Sequence, residues 1–410
     1  MAPSLRRRAY PAPGVFVAAA LALVLGTPLH AHAQDRNYDN PREMTMLPEY
    51  CKYTMFFRDK IPGANDKATV DRWFMVMGPT FNHMHHYCWA LMSTNRALFI
   101  ARSTQNLVAA IAPLRAAVAK DPKFARAWEM LGAVLCLGRY WNYGDAADYR
   151  AGVDAIDTAL RLDPNLSLAY AVRGGIHTDM IPGHGAGGWD DAFDSYARAI
   201  ERDATDATAY MYRGANYAAL GYFDRAVSDY QRCQDIDPAY ELCRRHVARA
   251  YSYVGRTDDA LRLIEIGLEN GYLWADIDVA PALAARGDRL NTVSILAQLY
   301  QDDPQLIRPL FRALTDPTFN DRDRQEGVAL VNKAKNNLAY VPYALVILKA
   351  YDEITSANMD PPIWWARDDA WLKSQSRKRL MQSWHLPEYW RKHGFPPQCG
   401  PIGESDFECR

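Results

Sequence analysis

The chain has 410 residues, with 47 basic and 48 acidic side chains and a formal net charge of −1 at pH 7. That balance argues against nucleic acid as a partner, since nucleic-acid binders carry a basic surface. Beyond the first 33 residues no apolar run approaches the ~20 residues of a membrane-spanning helix, so no membrane span is expected in the mature chain.

Residues 1–33 read as a secretory signal. Arg6, Arg7 and Arg8 form a positive start, and Val15 to Leu25 is an apolar run of 11 residues. Ala31-His32-Ala33 then supplies small residues for cleavage after Ala33. Removing three Arg leaves 44 basic residues against 48 acidic ones. Arg outnumbers Lys by 36 to 11. That bias suits a bacterial gene of high GC content, so the expected destination is the periplasm.

An oxidising destination favours disulfides. The seven cysteines are Cys51, Cys88, Cys136, Cys233, Cys243, Cys399 and Cys409. Spacing suggests Cys399–Cys409 around a C-terminal loop, Cys233–Cys243 across a helix–helix turn, and Cys51–Cys88 stapling the N-terminal segment. Cys136 is then left as a thiol.

Residues 34–79 carry Pro and aromatic residues with partial periodicity and are expected to form an extended arm, with Tyr50-Cys51-Lys52-Tyr53 and Trp73-Phe74-Met75 packing on the first hairpin. The segment Phe81-Asn82-His83-Met84-His85-His86-Tyr87-Cys88-Trp89 holds three His, a Met and a Cys. Such side chains ligate zinc or copper. At roughly 100° per residue, however, His83 and His86 share one face, while His85 and Cys88 share another turned well away. A metal site there would need further ligands, from His177, His184 or the arm.

From about residue 80 to 306 a helical-hairpin pattern recurs. The clearest unit runs from Thr208 to Pro238. It reads Ala209-Tyr210-x-x-Arg213-Gly214-x-x-Tyr217, then Leu220-Gly221-Tyr222-Phe223, Ala226, Tyr230 and Asp237-Pro238. Gly214 and Ala226 are small where two antiparallel helices meet. Gly221 suits the turn between them, Tyr230 fills the space between units, and Pro238 stops the second helix.

Upstream, one unit opens at Ala127-Trp128-x-x-Leu131-Gly132 and closes at Ile156, Ala159 and Asp163-Pro164, with an insertion around Tyr140 to Tyr149. The next opens at Ala169-Tyr170-x-x-Arg173-Gly174 and closes at Ala192, Tyr196 and Ala199. Its insertion contains Pro182-Gly183-His184-Gly185-Ala186-Gly187-Gly188. Downstream, Tyr251, Gly255, Ala260 and Ile264 stay in register, and Ala275 to Pro304 is a fainter unit. At the front, Ala110, Leu114, Ala117 and Asp121-Pro122 mark a second helix, and its first helix would lie after Pro79.

The pattern resembles the tetratricopeptide repeat (TPR), a helical hairpin recurring about every 34 residues. The resemblance implies an all-α fold, a right-handed TPR-type α-solenoid of about six hairpins with an N-terminal arm and a C-terminal cap. It further implies that the first helix of each hairpin lines a concave groove for a protein or peptide partner. The groove positions carried onto this chain are Arg126, Glu129, Met211, Ala215, Arg245, Arg249 and Tyr253. Arg245 and Arg249 are four residues apart and share a helix face, which suits a carboxylate.

Residues 307–359 read as further helices, broken once at Asp316-Pro317. From residue 360 the texture changes. Trp364, Trp365, Trp371, Trp384 and Trp390 cluster there with Pro361, Pro362, Pro387, Pro396, Pro397 and Pro401. The stretch Leu386-Pro387-Glu388-Tyr389-Trp390-Arg391-x-x-Gly394-Phe395-Pro396 resembles the tail of many bacterial TPR proteins. A solenoid needs its apolar end covered, so this segment is expected to be an end cap.

The glycine-rich loop at 183–188 follows no strand and precedes no Gly-Lys-Ser/Thr, so it reads as an inter-helix loop rather than a phosphate cradle. Asp190, Asp191 and Asp194 sit at a helix start, where acids favour the macrodipole. Gly-x-Ser-x-Gly, His-Glu-x-x-His and paired Cys-x-x-Cys motifs are absent, and the expected class is a non-enzymatic scaffold without a cofactor. The alternative is a metal-binding or metal-handling protein that uses the His-rich helix for zinc or copper.

Overall fold

The computed structural model describes residues 41–97, 104–140, 143–178, 188–238, 240–269, 280–301, 303–334, 341–354, 363–364 and 369–409. The signal at 1–33 and most of the glycine-rich loop lie outside them.

The arm is more helical than expected. It contains a short helix α1 (Pro41–Thr45), a 3-10 turn at Glu49–Tyr53, and α2 (Lys67–Met77). Local capping explains α2. The Asp66 carboxylate accepts the Thr69 amide at 2.9 Å, and Gly78 ends the helix at φ 63°. The Arg96 guanidinium holds Glu43 of the arm. Cys51 and Cys88 join the arm to the first hairpin, with Cα atoms 5.7 Å apart.

Six hairpins continue the chain. They are α3 (Met84–Asn95) with α4 (Thr104–Lys120), α5 (Ala125–Tyr140) with α6 (Ala146–Leu162), and α7 (Ser167–His177) with α8 (Trp189–Arg202). Then come α9 (Ala207–Ala219) with α10 (Phe223–Ile236), α11 (Glu241–Tyr253) with α12 (Thr257–Glu269), and α13 (Ala280–Ala285) with α14 (Arg289–Leu299).

Each boundary has a local cause. Where one hairpin hands over to the next, an aspartate closes the turn with its own side chain. Asp121 accepts the Lys123 amide, Asp163 that of Asn165, and Asp203 that of Thr205, at 3.0, 2.9 and 2.8 Å. These are Asx turns, which favour leaving the helix. Within later hairpins the turn rests on a left-handed glycine, as at Gly221 with φ 83°.

Helix pairs close over small residues. A Cβ on Gly132 would lie 2.7 Å from the Ile156 side chain, and one on Gly214 would lie 2.8 Å from the Tyr230 ring. The cysteine pair Cys233–Cys243 lies at disulfide distance across the α10–α11 turn, with Cα atoms 6.1 Å apart. Cys136 is buried and outside the disulfides.

Beyond the hairpins lie helices α15 (Ile307–Thr315), α16 (Asp321–Lys333) and α17 (Val341–Ile347). Asp316 repeats the Asx turn, accepting the Thr318 amide at 2.9 Å. The tail adds α18 (Asp369–Leu372), α19 (Gln375–Ser383) and α20 (Leu386–His393). It ends in an antiparallel hairpin of β1 (Cys399–Ile402) and β2 (Asp406–Cys409), the one departure from an all-α chain among the described residues. Cys399 faces Cys409 across it.

The tail reaches back to the middle of the stack instead of only covering its far end. Its target is the turn after α9. The last carbonyls of a helix lack intrahelical donors, and here the tail supplies them. Trp364 donates its indole N–H to Ala219 O at 2.8 Å, Trp390 to Leu220 O at 3.0 Å, and the Gln398 amide to Gly221 O at 2.8 Å. In return, Tyr222 donates its hydroxyl to Gly394 O, and Trp189 its indole N–H to Trp384 O. Tryptophans that bury a large ring and carry one donor suit this task.

Trp390 is fully buried. Replacing it with Phe keeps a ring but leaves the Leu220 carbonyl without its donor. Chemical denaturation should show a loss of about 1–3 kcal/mol. Unchanged stability would mean that the tail does not dock on this turn in solution.

Candidate partner groove

Helices α5, α9 and α11, each the first of its hairpin, carry the positions expected to face a partner. The structure divides them. Arg126 is exposed at the start of α5, and Arg245, Arg249 and Tyr253 are half-buried on α11. Ala215 is half-buried on α9. Tyr253 lies with its ring 5.5 Å from that of Phe223.

Glu129 and Met211 are interior residues instead. Met211 packs against Tyr240 and the Cys233–Cys243 pair. Glu129 is only 3% exposed, and its carboxylate accepts the Ala169 amide at 3.0 Å. That amide belongs to the first turn of α7, where backbone donors lack partners.

Burial dominates the electrostatics of Glu129 and pushes its pKa up to about 7. Arg126 opposes the shift, while Asp206 and Asp163 add to it. Asp206 is also pushed up by burial, although Ser167 and the Thr208 and Ala209 amides donate to it.

The sequence reading missed Gly175. A Cβ there would meet nothing within 4 Å, whereas one on Gly174 would overlap the Tyr196 ring. Gly174 is required by packing, and Gly175 leaves the wall of α7 open. The doubled glycine in the sequence was the available signal. Next to it, the buried Asn216 amide donates to Thr178 Oγ1 at 3.1 Å and to the Tyr196 hydroxyl at 2.9 Å, which fixes α7, α8 and α9 together.

The His-rich segment is placed differently. His83 ends a 3-10 turn, and His85 and His86 open α3. His85 is 5% exposed, with Phe56, Trp89 and His86 rings 5.1, 5.4 and 4.2 Å away. Burial lowers its pKa to about 4, and the His86 value also falls, burial again being the main cause. Cys88 is held in the disulfide with Cys51 and offers no thiolate. His177 is half-buried, and His184 lies outside the described residues. Among the described residues, no group of three His, Cys, Asp or Glu side chains gathers around a point where a metal could sit.

At the start of α8, Asp190 takes part in docking the tail. Lys392 donates to it at 2.6 Å and His393 lies 2.7 Å away. The Lys392 bond is the main cause that holds the Asp190 carboxyl below its usual range.

Hairpins paired over Gly and Ala, turned at Gly and closed at Asp-Pro fit one repeat pattern. The stack is a TPR-type α-solenoid.

No protein-family model matches the chain. By sequence it is similar to the small glutamine-rich tetratricopeptide repeat-containing protein 2 of Mycosarcoma maydis, at 27% identity over 103 residues. The match covers 25% of this chain and 28% of that protein. It is also similar to the Hsp70-Hsp90 organizing protein 2 of Arabidopsis thaliana, at 28% identity over 82 residues, or 20% of this chain and 14% of that protein. The chain thus matches less than a third of either relative's length. Among solved structures, the type IV pilus biogenesis factor PilW is 20% identical, covering 52% of this chain and 94% of that one at a TM-score of 0.37. Yeast Tom70 is 14% identical, covering 93% and 79% at a TM-score of 0.37. No described helix is long and apolar enough to cross a membrane.

The raised Glu129 pKa gives a signed pH effect. Between about 4.5 and 7 the folded chain keeps a proton that the unfolded chain has released, so stability falls as pH rises through that window. Glu129→Gln keeps the acceptor for Ala169 and cannot ionise. Relative to the wild type, the variant should gain on the order of 2–3 kcal/mol between pH 4.5 and 7.5. A constant difference across that range in urea titrations would place the Glu129 carboxyl in water.

Proposed function

We propose that the chain is an exported scaffold that holds a protein or peptide partner along the first helices of its hairpins. The observation that carries this reading is the run of successive first helices, α3 to α11, with Arg126 exposed, open space beside Gly175, Ala215 half-buried, and two cations, Arg245 and Arg249, four residues apart on α11. The names of the two sequence relatives support it, one being a tetratricopeptide repeat-containing protein and the other an organizing protein for Hsp70 and Hsp90. Three cysteine pairs at disulfide distance support an oxidising compartment, and with it export of the mature chain to the periplasm.

Within the groove, the proposed anchor is Arg245 with Arg249. Both are half-buried, four residues apart on one face of α11. Two forked guanidinium groups on one helix face suit a chain-terminal or acidic side-chain carboxylate.

Peptides selected from a library with free C-termini and then amidated provide the test. The free form should bind more tightly. Replacing both arginines with Ala should remove a few kcal/mol, since hydrogen bonds to charged groups contribute about 1.5–3 kcal/mol each. Replacement with Lys should recover only part of the affinity, because the forked geometry is lost. Equal binding by the wild type and the double Ala variant would rule out the carboxylate anchor. A library that yields no binder to the full chain would rule out the scaffold reading.

A further inference from the structure

Exposed apolar side chains are ordinary when they are scattered singly. Here they gather in one place. Of the eleven large apolar side chains exposed among the described residues, Met55, Phe56, Phe74, Met75 and Val76 fall in the arm. Met75 and Val76 are the most exposed of all, at 78% and 69%.

Three of these five lie on helix α2. Its inner side is Val70, Trp73 and Met77, which pack half-buried against the core of the first hairpins, with the Tyr50 ring 5.8 Å from that of Trp73. None of its residues is fully buried. Of the run Trp73-Phe74-Met75, expected to pack on the first hairpin, only Trp73 turns inward. The arm that presents α2 is itself held in place, by the Cys51–Cys88 pair and by Arg96 on Glu43.

The shape of the exposed end decides what covers it. At roughly 100° per residue, Phe74, Met75 and Val76 fan over about 200° of the helix circumference. A helix packed on a rigid protein surface presents an apolar stripe roughly 100° wide. A protruding end that is apolar over most of its circumference is matched instead by a fluid medium that wraps it. At 11 residues α2 is about 16 Å long, well short of the ~30 Å hydrocarbon core, so it suits an interface and not a crossing.

The neighbouring charges fit an anionic surface. Arg72 precedes Met75 and Val76 by three and four residues, which places it on their face of the helix. Its guanidinium carbon lies 5.7 Å from the centre of the Trp73 ring. The acids of this segment are engaged locally: Asp66 accepts the Thr69 amide and Asp71 pairs with Lys67. Apolar and aromatic side chains beside cations are the pattern of helices that lie among the headgroups of anionic bilayers.

We propose that the arm docks on an anionic lipid bilayer, with Phe74, Met75 and Val76 at the boundary between headgroups and acyl chains and Arg72 on the lipid phosphates. Helix α2 then tethers the stack to a membrane surface. The tether stands apart from the partner reading and holds whether or not a peptide occupies the groove.

Flotation of the chain, purified after export, with lipid vesicles tests the tether. The chain should rise with vesicles of phosphatidylglycerol and phosphatidylcholine, bind phosphatidylcholine alone much more weakly, and be partly released by high salt. Met75→Ser combined with Val76→Ser should weaken binding by about a hundredfold, since burying an apolar side chain of this size corresponds to at least about tenfold. Both sites are exposed, so thermal unfolding should be unchanged. Val76→Trp should tighten binding several-fold, because Trp favours the membrane interface, and this readout survives if the serine variant misfolds. Arg72→Gln should weaken binding to the anionic vesicles more than to the neutral ones. Absence of binding to either vesicle, equal binding to both, or binding untouched by the serine pair would overturn the proposal. A dimer seen by sedimentation velocity without lipid, and dissolved by the serine pair, would give the face to a second copy of the chain and overturn it as well.

Discussion

The middle of the stack stands on the close approach of two helices over a residue with no side chain. Gly132 lets α5 meet Ile156 of α6, Gly174 makes room for Tyr196, and Gly214 for Tyr230. A ring or branched chain packed on bare backbone buries apolar area without widening the pair. That contact sets the spacing within these three hairpins. The spacing in turn sets where the first helices lie, and so which side chains reach a partner and which are sealed inside.

The same contact explains which parts of the fold could be read from sequence. Tyr196, Tyr230, Gly174 and Gly214 recur in phase because each hairpin repeats one packing problem. Asp163-Pro164 and Asp237-Pro238 mark the handovers because the chemistry of leaving a helix is local. The three cysteine pairs that spacing suggested lie at disulfide distance, and two of them close segments only 10 residues long. The helix at Lys67–Met77 was legible in principle, from Asp66 at one end and Gly78 at the other. The aromatic run inside it drew the reading toward an extended arm.

The tail and the interior fate of Glu129 and Met211 were not legible. Trp390 and Leu220 are 170 residues apart, and no local pattern pairs them. Trp364, Trp390 and Gln398 each cap a carbonyl of one turn, a joint property of two distant segments. Glu129 occupies a position that faces a partner in an open stack. Here it is 3% exposed, and its carboxylate caps α7 through the Ala169 amide. A groove position is exposed only if its neighbours in the adjoining hairpins leave room, and repeat register alone does not say so.

Adjacent glycines in one helix offer the most direct test. Gly174 lies under Tyr196, itself buried and bonded to Asn216, while Gly175 faces open space. Denaturant unfolding of Gly174→Ala should show a loss of about 1–3 kcal/mol, the usual range for overpacking. Gly175→Ala should gain up to about 1 kcal/mol from helix propensity. Equal effects at the two positions, or a stable Gly174→Ala beside a damaged Gly175→Ala, would contradict the hairpin packing on which this account rests.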